Sequence, residues 1–167
     1  VDLSFRLGRN EVAPENIQRL EEIQPGDYSH VAVLIVEDNK VNQLLIKNML
    51  KKFGFENLDT SYNGRNALDK LRVNTYDVIL MDIQMPEMDG YEITREIRLR
   101  LRKEMRNVPV IAITADASEK EKAKAKEAGM DDYVVKPYTP EELFSVLLKY
   151  VQPGPRKELG KIESPAS

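Results

Sequence analysis

Five polar residues stand where short apolar runs of this sequence end, and their chemistry is complementary. Glu37 and Asp38 follow VAVLIV (31–36), Asp82 follows DVILM (77–81), Thr114 closes PVIAIT (109–114) and Lys136 follows DYVV (132–135). Singly, each has an ordinary explanation. Asp38 or Asn39 can cap a helix, Asp82 can sit in a turn, Thr114 can end a strand, and Lys136 can be a solvated charge. If the runs are strands of one parallel sheet, however, their end residues converge on one small volume. Three carboxylates there repel one another, and at least one pKa rises unless a cation neutralises them. A hard divalent ion meets that need, and Mg²⁺ takes one or two carboxylates together with waters and phosphate oxygens. A lysine in the same cluster suits an incoming phosphoryl group.

The pattern around these residues supplies the sheet. From residue 31 onward, short apolar runs alternate with longer amphipathic segments, the mark of βαβ units, and NLDTSY (57–62) completes a set of five. Runs one, three and four are almost continuously apolar, as strands covered on both faces are, and form the expected sheet interior. The first helix carries Val41, Leu44, Leu45, Met49 and Phe53 at helical spacing, a face expected to pack on the sheet, and stops at Gly54. Helices two and three are expected over about 65–73 and about 90–103. Two later helices open with capping boxes, Ser118 with Glu121 and Thr139 with Glu142, the second with Pro140 at its first position. Right-handed crossovers then favour an α/β fold, a doubly wound five-stranded parallel sheet of order 2-1-3-4-5 with five helices. Strands one and three flank its switch point, and ligands of such sheets bind beside that crevice.

Composition narrows the function classes. The 167 residues are 41% hydrophobic and 32% charged, which suits one domain with short extensions. There is no cysteine, so thiol catalysis and cysteine zinc sites are excluded. A net charge of -3 offers no global basic field for nucleic acid. No stretch has the ~18–20 apolar residues of a membrane span, and the first residues have no signal-peptide layout. No direct membrane contact is expected. The expected location is the cytoplasm, including that of a parent chain tethered to a membrane with this domain on the cytoplasmic side.

The segments VLIVEDN (33–39), ILMDIQMPEMDG (79–90), AITA (112–115) and KP (136–137) occur in the order and spacing of the signature blocks of response-regulator receiver domains, which this sequence resembles over about 31–152. The resemblance implies a flavodoxin-like fold and a phosphoacceptor in a two-component phosphorelay, taking a phosphoryl group from phosphohistidine with Mg²⁺. It implies that Asp82 is the acceptor, that Asp38 and Glu37 bind Mg²⁺, Glu37 through water, and that the backbone carbonyl of Gln84 is a further ligand. It makes Thr114 the switch hydroxyl, Tyr133 the aromatic that changes rotamer with it, and Lys136 the partner of a phosphoryl oxygen, with Lys136-Pro137 cis. Read from the pattern alone, Tyr133 is equally a half-exposed strand aromatic. Gln84 and Asp116 stand at positions linked to the lifetime of the phosphorylated state. Pro86 and Gly90 are expected to shape the acceptor loop, and Asp89 to be a turn or cap residue without chemistry.

Residues 1–30 read as a linker or flanking remnant, with a possible short helix from Ala13 through Ile23 and a break at 25–27. Residues 153–167, rich in Pro, Gly and charge, read as a disordered tail. His30 reads as a linker residue. About 15 residues after the domain are too few for an output domain, so the signal is expected to leave by phosphotransfer or docking. EDNKVNQ (37–43) resembles receivers fused to hybrid histidine kinases. The expected partners are a histidine-phosphotransfer protein or the dimerisation helices of a histidine kinase, docking on helix one at Asn42, Gln43 and Ile46. Ile46 serves there as an exposed apolar anchor, unless it is the edge of the buried stripe. Rival readings are an Mg²⁺-dependent aspartyl-phosphate phosphohydrolase, which usually has a second acid where Gln84 stands, a flavin-binding electron carrier, and a pseudo-receiver used only for binding.

Overall fold

The computed structural model describes residues 26–154. The expected helix at 13–23 and most of the expected tail lie outside them. Five parallel strands form one sheet in the order β2-β1-β3-β4-β5, as predicted. They are β1 (Val33–Val36), β2 (Leu58–Ser61), β3 (Val78–Asp82), β4 (Val110–Thr114) and β5 (Asp132–Val135). Every residue of β1, β3 and β4 is buried, whereas the edge strands β2 and β5 are half-buried. Apolar runs on both faces are what a sheet interior between two helix layers requires. The registers Leu34 opposite Ile79 and Ile79 opposite Val110 align the strand ends, so Asp82 emerges beside Ile113 and next to the turn after β1.

Among the described residues six helices cover the sheet, one more than expected. They are α1 (Lys40–Lys52), α2 (Gly64–Val73), α3 (Gly90–Arg100), the short α4 (Lys103–Arg106), α5 (Glu119–Ala128) and α6 (Pro140–Leu147). The extra helix begins where the predicted third one, over about 90–103, was expected to end. Leu101 is buried and extended, and the Arg102 guanidinium reaches across to the carbonyls of Leu71 (3.2 Å) and Asn74 (2.6 Å), which breaks the helix between them. Alternate strand residues feed two cores. Val33, Ile35, Val78 and Leu80 pack under α1 and α6, while Leu34, Val36, Ile79 and Met81 pack under α2, α3 and α5.

The phase of α1 differs from expectation. Val41, Leu44 and Leu45 are 66%, 58% and 50% exposed, whereas Ile46 is 2% exposed. The sheet-facing stripe is Ile46, Leu50 and Phe53, spaced i, i+4, i+7. Both stripes satisfy the helical period, because this helix carries more apolar residues than the sheet can cover. Ile46 is therefore not the exposed anchor assigned to it; it is a core residue.

Thr139 and Glu142 form both bonds of their capping box, and Asp89 and Glu92 form another at the start of α3. The predicted box at α5 is only half made. Ser118 Oγ accepts the Glu121 N–H at 3.2 Å, but the Glu121 carboxylate accepts the Tyr91 hydroxyl instead, at 2.6 Å. Gly90 is required for a steric reason: a Cβ there would lie 2.8 Å from the carbonyl oxygen of Asp82, so α3 could not start so close to the acceptor.

Residues 26–30, assigned by sequence to the flanking segment, pack on the domain. Tyr28 is buried, stacks on Phe55 at 4.8 Å and meets Phe144 edge-on at 5.4 Å. Gly154 N–H donates to Asp27 O at 2.7 Å, so the two ends of the described chain lie side by side. Gly54 after α1 has φ +98° and touches this segment, with a virtual Cβ 1.8 Å from Gly26 O. Gly54→Ala is expected to cost more than the ~1 kcal/mol of backbone strain alone, because the 26–30 segment must also move. Chemical denaturation would show it, and an unchanged midpoint would contradict this packing.

Candidate functional site

The side chains predicted from strand ends do converge. One ligand oxygen from each of Glu37, Asp38 and Asp82 lies within 4.8 Å of the others. Glu37 and Asp82 are buried, at 1% and 4% exposure, while Asp38 is open to solvent. Lys136 Nζ stands 3.6 Å from Asp82 Oδ1, carried there by the turn after β5, where Lys136-Pro137 is cis as expected. The backbone N–H of Gln84 donates to the same Oδ1 at 3.2 Å. Lys136 and the Gln84 N–H thus act on the same carboxylate oxygen of Asp82.

Burial first, and one neighbouring carboxylate after it, push each inner acid up, Asp82 acting on Glu37 and Asp38 on Asp82. The Glu37 carboxyl rises to about 7, with the Asn39 N–H, the Asn42 amide and Lys136 resisting; Asp82 rises too, with Lys136, the Gln84 N–H and a hydrogen bond with the Glu37 carboxyl resisting. Tyr138, half-buried beside these acids, has its phenol pushed up to about 12 by burial and then by the charges of Glu37 and Asp82. Two buried acids with raised affinity for protons, beside a third that is open to solvent, fit a small divalent cation that would replace those protons.

The pH dependence follows from the signs. Glu37 binds its proton more tightly in the folded protein than unfolded, so it contributes stability that is present at low pH and lost as pH rises through about 7. The metal-free domain is therefore expected to melt lower at about pH 8 than at about pH 6 on this account, and Mg²⁺ to raise the midpoint more at the higher pH. A Mg²⁺ stabilisation independent of pH would contradict it.

Thr114 is placed at the site but turned from it. Its Oγ1 accepts the Asp116 N–H at 3.0 Å and donates to Asp116 O at 3.1 Å. Tyr133 is half-exposed, with Lys122 Nζ 5.4 Å from its ring centroid, and shares with Thr114 and Tyr91 the lining of a small cavity under α5. Asn42 and Gln43, expected to face a partner, are half-exposed and bond to Glu37: Asn42 Nδ2 to Oε2 at 3.3 Å, and Gln43 Nε2 to the backbone carbonyl at 2.6 Å. Sequence reasoning did not single out Tyr138, Asn42 or Gln43 for the acid cluster. The spacing of residues 42 and 43 from Glu37, one helical turn after the cap, was the available signal.

Known proteins share this arrangement. Residues 33–148 match the family model described as response regulator receiver domain. A hybrid signal transduction histidine kinase of Dictyostelium discoideum is 43% identical over 129 residues, covering 72% of this chain but 7% of its own length. The chain thus spans a small part of such kinases. The polar-differentiation response regulator DivK of Brucella anthropi is 37% identical over 120 residues, covering 72% of this chain and 95% of its own. The receiver domain of a sensor histidine kinase from Pseudomonas aeruginosa, solved with a magnesium ion in its active-site cleft, superposes with a TM-score of 0.65 at 39% identity, over 72% of this chain and 96% of that one. Strand order, acid cluster and sequence thus agree, and this chain belongs to the response regulator receiver domain family.

Proposed function

We propose that Asp82 accepts a phosphoryl group from a phosphohistidine and that this domain, spanning 31–152 with flanking segments at either end, relays it within a two-component pathway. The observation that carries the reading is the state of Asp82: buried, paired with Lys136, and clustered with two further acids. An ionised carboxylate needs no general base. A carboxylate oxygen of Asp82 attacks phosphorus, the P–N bond breaks, and the imidazole nitrogen keeps the electron pair, leaving an acyl phosphate. Lys136 offsets charge on a phosphoryl oxygen, and the Gln84 N–H holds the carboxylate in line. Asp38 and Asp82, with the Gln84 carbonyl and Glu37 through water, would hold Mg²⁺, which supplies positive charge against the phosphoryl oxygens. Release of Thr114 from the Asp116 backbone would free its hydroxyl for the phosphoryl group, and Tyr133 would follow it inward.

The donor is a histidine-phosphotransfer protein or the dimerisation helices of a histidine kinase. Val41, Leu44 and Leu45 give α1 an exposed apolar stripe beside the acid cluster, the place where a donor helix must lie to bring its histidine to Asp82. No helix among the described residues is long and apolar enough to cross a membrane, and a cytoplasmic setting accords with this donor chemistry. Acetyl phosphate with Mg²⁺ is expected to add one hydroxylamine-labile phosphoryl group per chain, on the peptide containing Asp82. No uptake would leave a binding-only pseudo-receiver.

A further inference from the structure

Glu37 is held at both ends. Its N–H donates to Ser61 O at 2.9 Å, and its carbonyl takes the Gln43 amide at 2.6 Å. Its Oε2 takes the Asn39 N–H at 3.0 Å and the Asn42 amide at 3.3 Å. Asn39 also caps α1 through Val41 N–H (2.8 Å) and Asn42 N–H (3.1 Å), and α1 is pinned in the core by Ile46 and Leu50. The carboxylate is thereby fixed to a rigid helix. Among the described residues no N–H reaches Oε1, the oxygen left for a metal-bound water.

We infer that Asn42 is a specificity-determining positioning residue, which sets the preference of the acid cluster for Mg²⁺ over larger divalent ions by leaving Glu37 a single oxygen to present. This rests on the metal site of the proposed function. Mg²⁺ keeps its waters and demands octahedral geometry, so it profits from one fixed outer acceptor. Ca²⁺ takes more oxygens, often both of a carboxylate, and is starved when Oε2 is already occupied. The donor at position 42 is also uncharged. An amide steers the carboxylate without cancelling the negative charge a cation needs, whereas lysine or arginine there would compete with the ion.

Asn42→Ala and the nearly isosteric Asn42→Leu test this, with Mg²⁺ and Ca²⁺ titrated separately into the protein and binding followed by amide chemical shifts around Asp38 and Asp82. Both variants are expected to bind Mg²⁺ roughly tenfold more weakly while Ca²⁺ binding holds or tightens, so the Mg²⁺ to Ca²⁺ ratio falls about tenfold. Gln43 grips only the Glu37 backbone, so Gln43→Ala is expected to weaken both ions alike. Equal losses for both ions in the Asn42 variants would reduce Asn42 to a structural prop and overturn the inference, as would unchanged affinities. If the unaltered protein binds neither ion at the cluster, the metal site of the proposed function falls with it; binding with an unaltered ratio overturns the inference alone.

Discussion

Asp82→Asn is expected to reduce phosphoryl uptake from acetyl phosphate to background while making the metal-free domain more stable. The amide keeps the shape of the side chain and an oxygen for the Gln84 N–H, but loses the nucleophile. It also removes one charge from a buried acid cluster that resists ionisation, which is why the thermal midpoint should rise and the Mg²⁺ dependence weaken. Phosphate incorporation and melting with and without Mg²⁺ measure both effects. Persistent stoichiometric labelling would remove Asp82 from the mechanism, and a fall in stability would contradict the electrostatic account of the cluster.

The second large effect separates two leucine-like residues on one helix. Ile46→Glu places a carboxylate in the core under α1 and is expected to destabilise by at least ~3 kcal/mol, enough to unfold a marginal domain. Leu44→Glu, at 58% exposure, is expected to change stability by less than ~0.5 kcal/mol. It should nevertheless slow transfer from a phosphohistidine donor about tenfold, leaving labelling by acetyl phosphate intact, if the exposed stripe of α1 docks the donor. Denaturation midpoints and the two labelling rates decide the matter. A stable Ile46→Glu protein would refute the packing, and unaltered transfer in Leu44→Glu would put the donor on another surface.

Those two residues also show where sequence was legible. Strands β1, β3 and β4 could be read because continuous apolar runs have few other uses, and the polar residue after each marked the crevice without a structure. Asp82, Thr114 and the acidic pair were accessible for that reason, and Lys136 because it follows the shorter run of β5. The phase of α1 was not, since Val41, Leu44, Leu45, Ile46 and Leu50 together offer two apolar stripes and periodicity cannot choose between them. Side-chain pairings across elements were equally hidden. Glu121 reads as a capping partner of Ser118, yet the Tyr91 hydroxyl, thirty positions away, claims its carboxylate. Tertiary competition of that kind leaves no local mark. The break after Arg100 was lost likewise, because the carbonyls that attract Arg102 belong to α2 and the turn after it.

The hydrogen bond from Gly154 to Asp27 sets the mechanics of the whole module. The chain comes in and goes out at the amino-terminal rim of the sheet, next to Tyr28 and Phe55, whereas Asp82 stands at the opposite rim, a strand length of roughly 13–17 Å away. A force applied through Asp27 and Gly154 therefore enters at one pole of the domain, and the strands between that pole and Asp82 carry no pull between the two points of attachment.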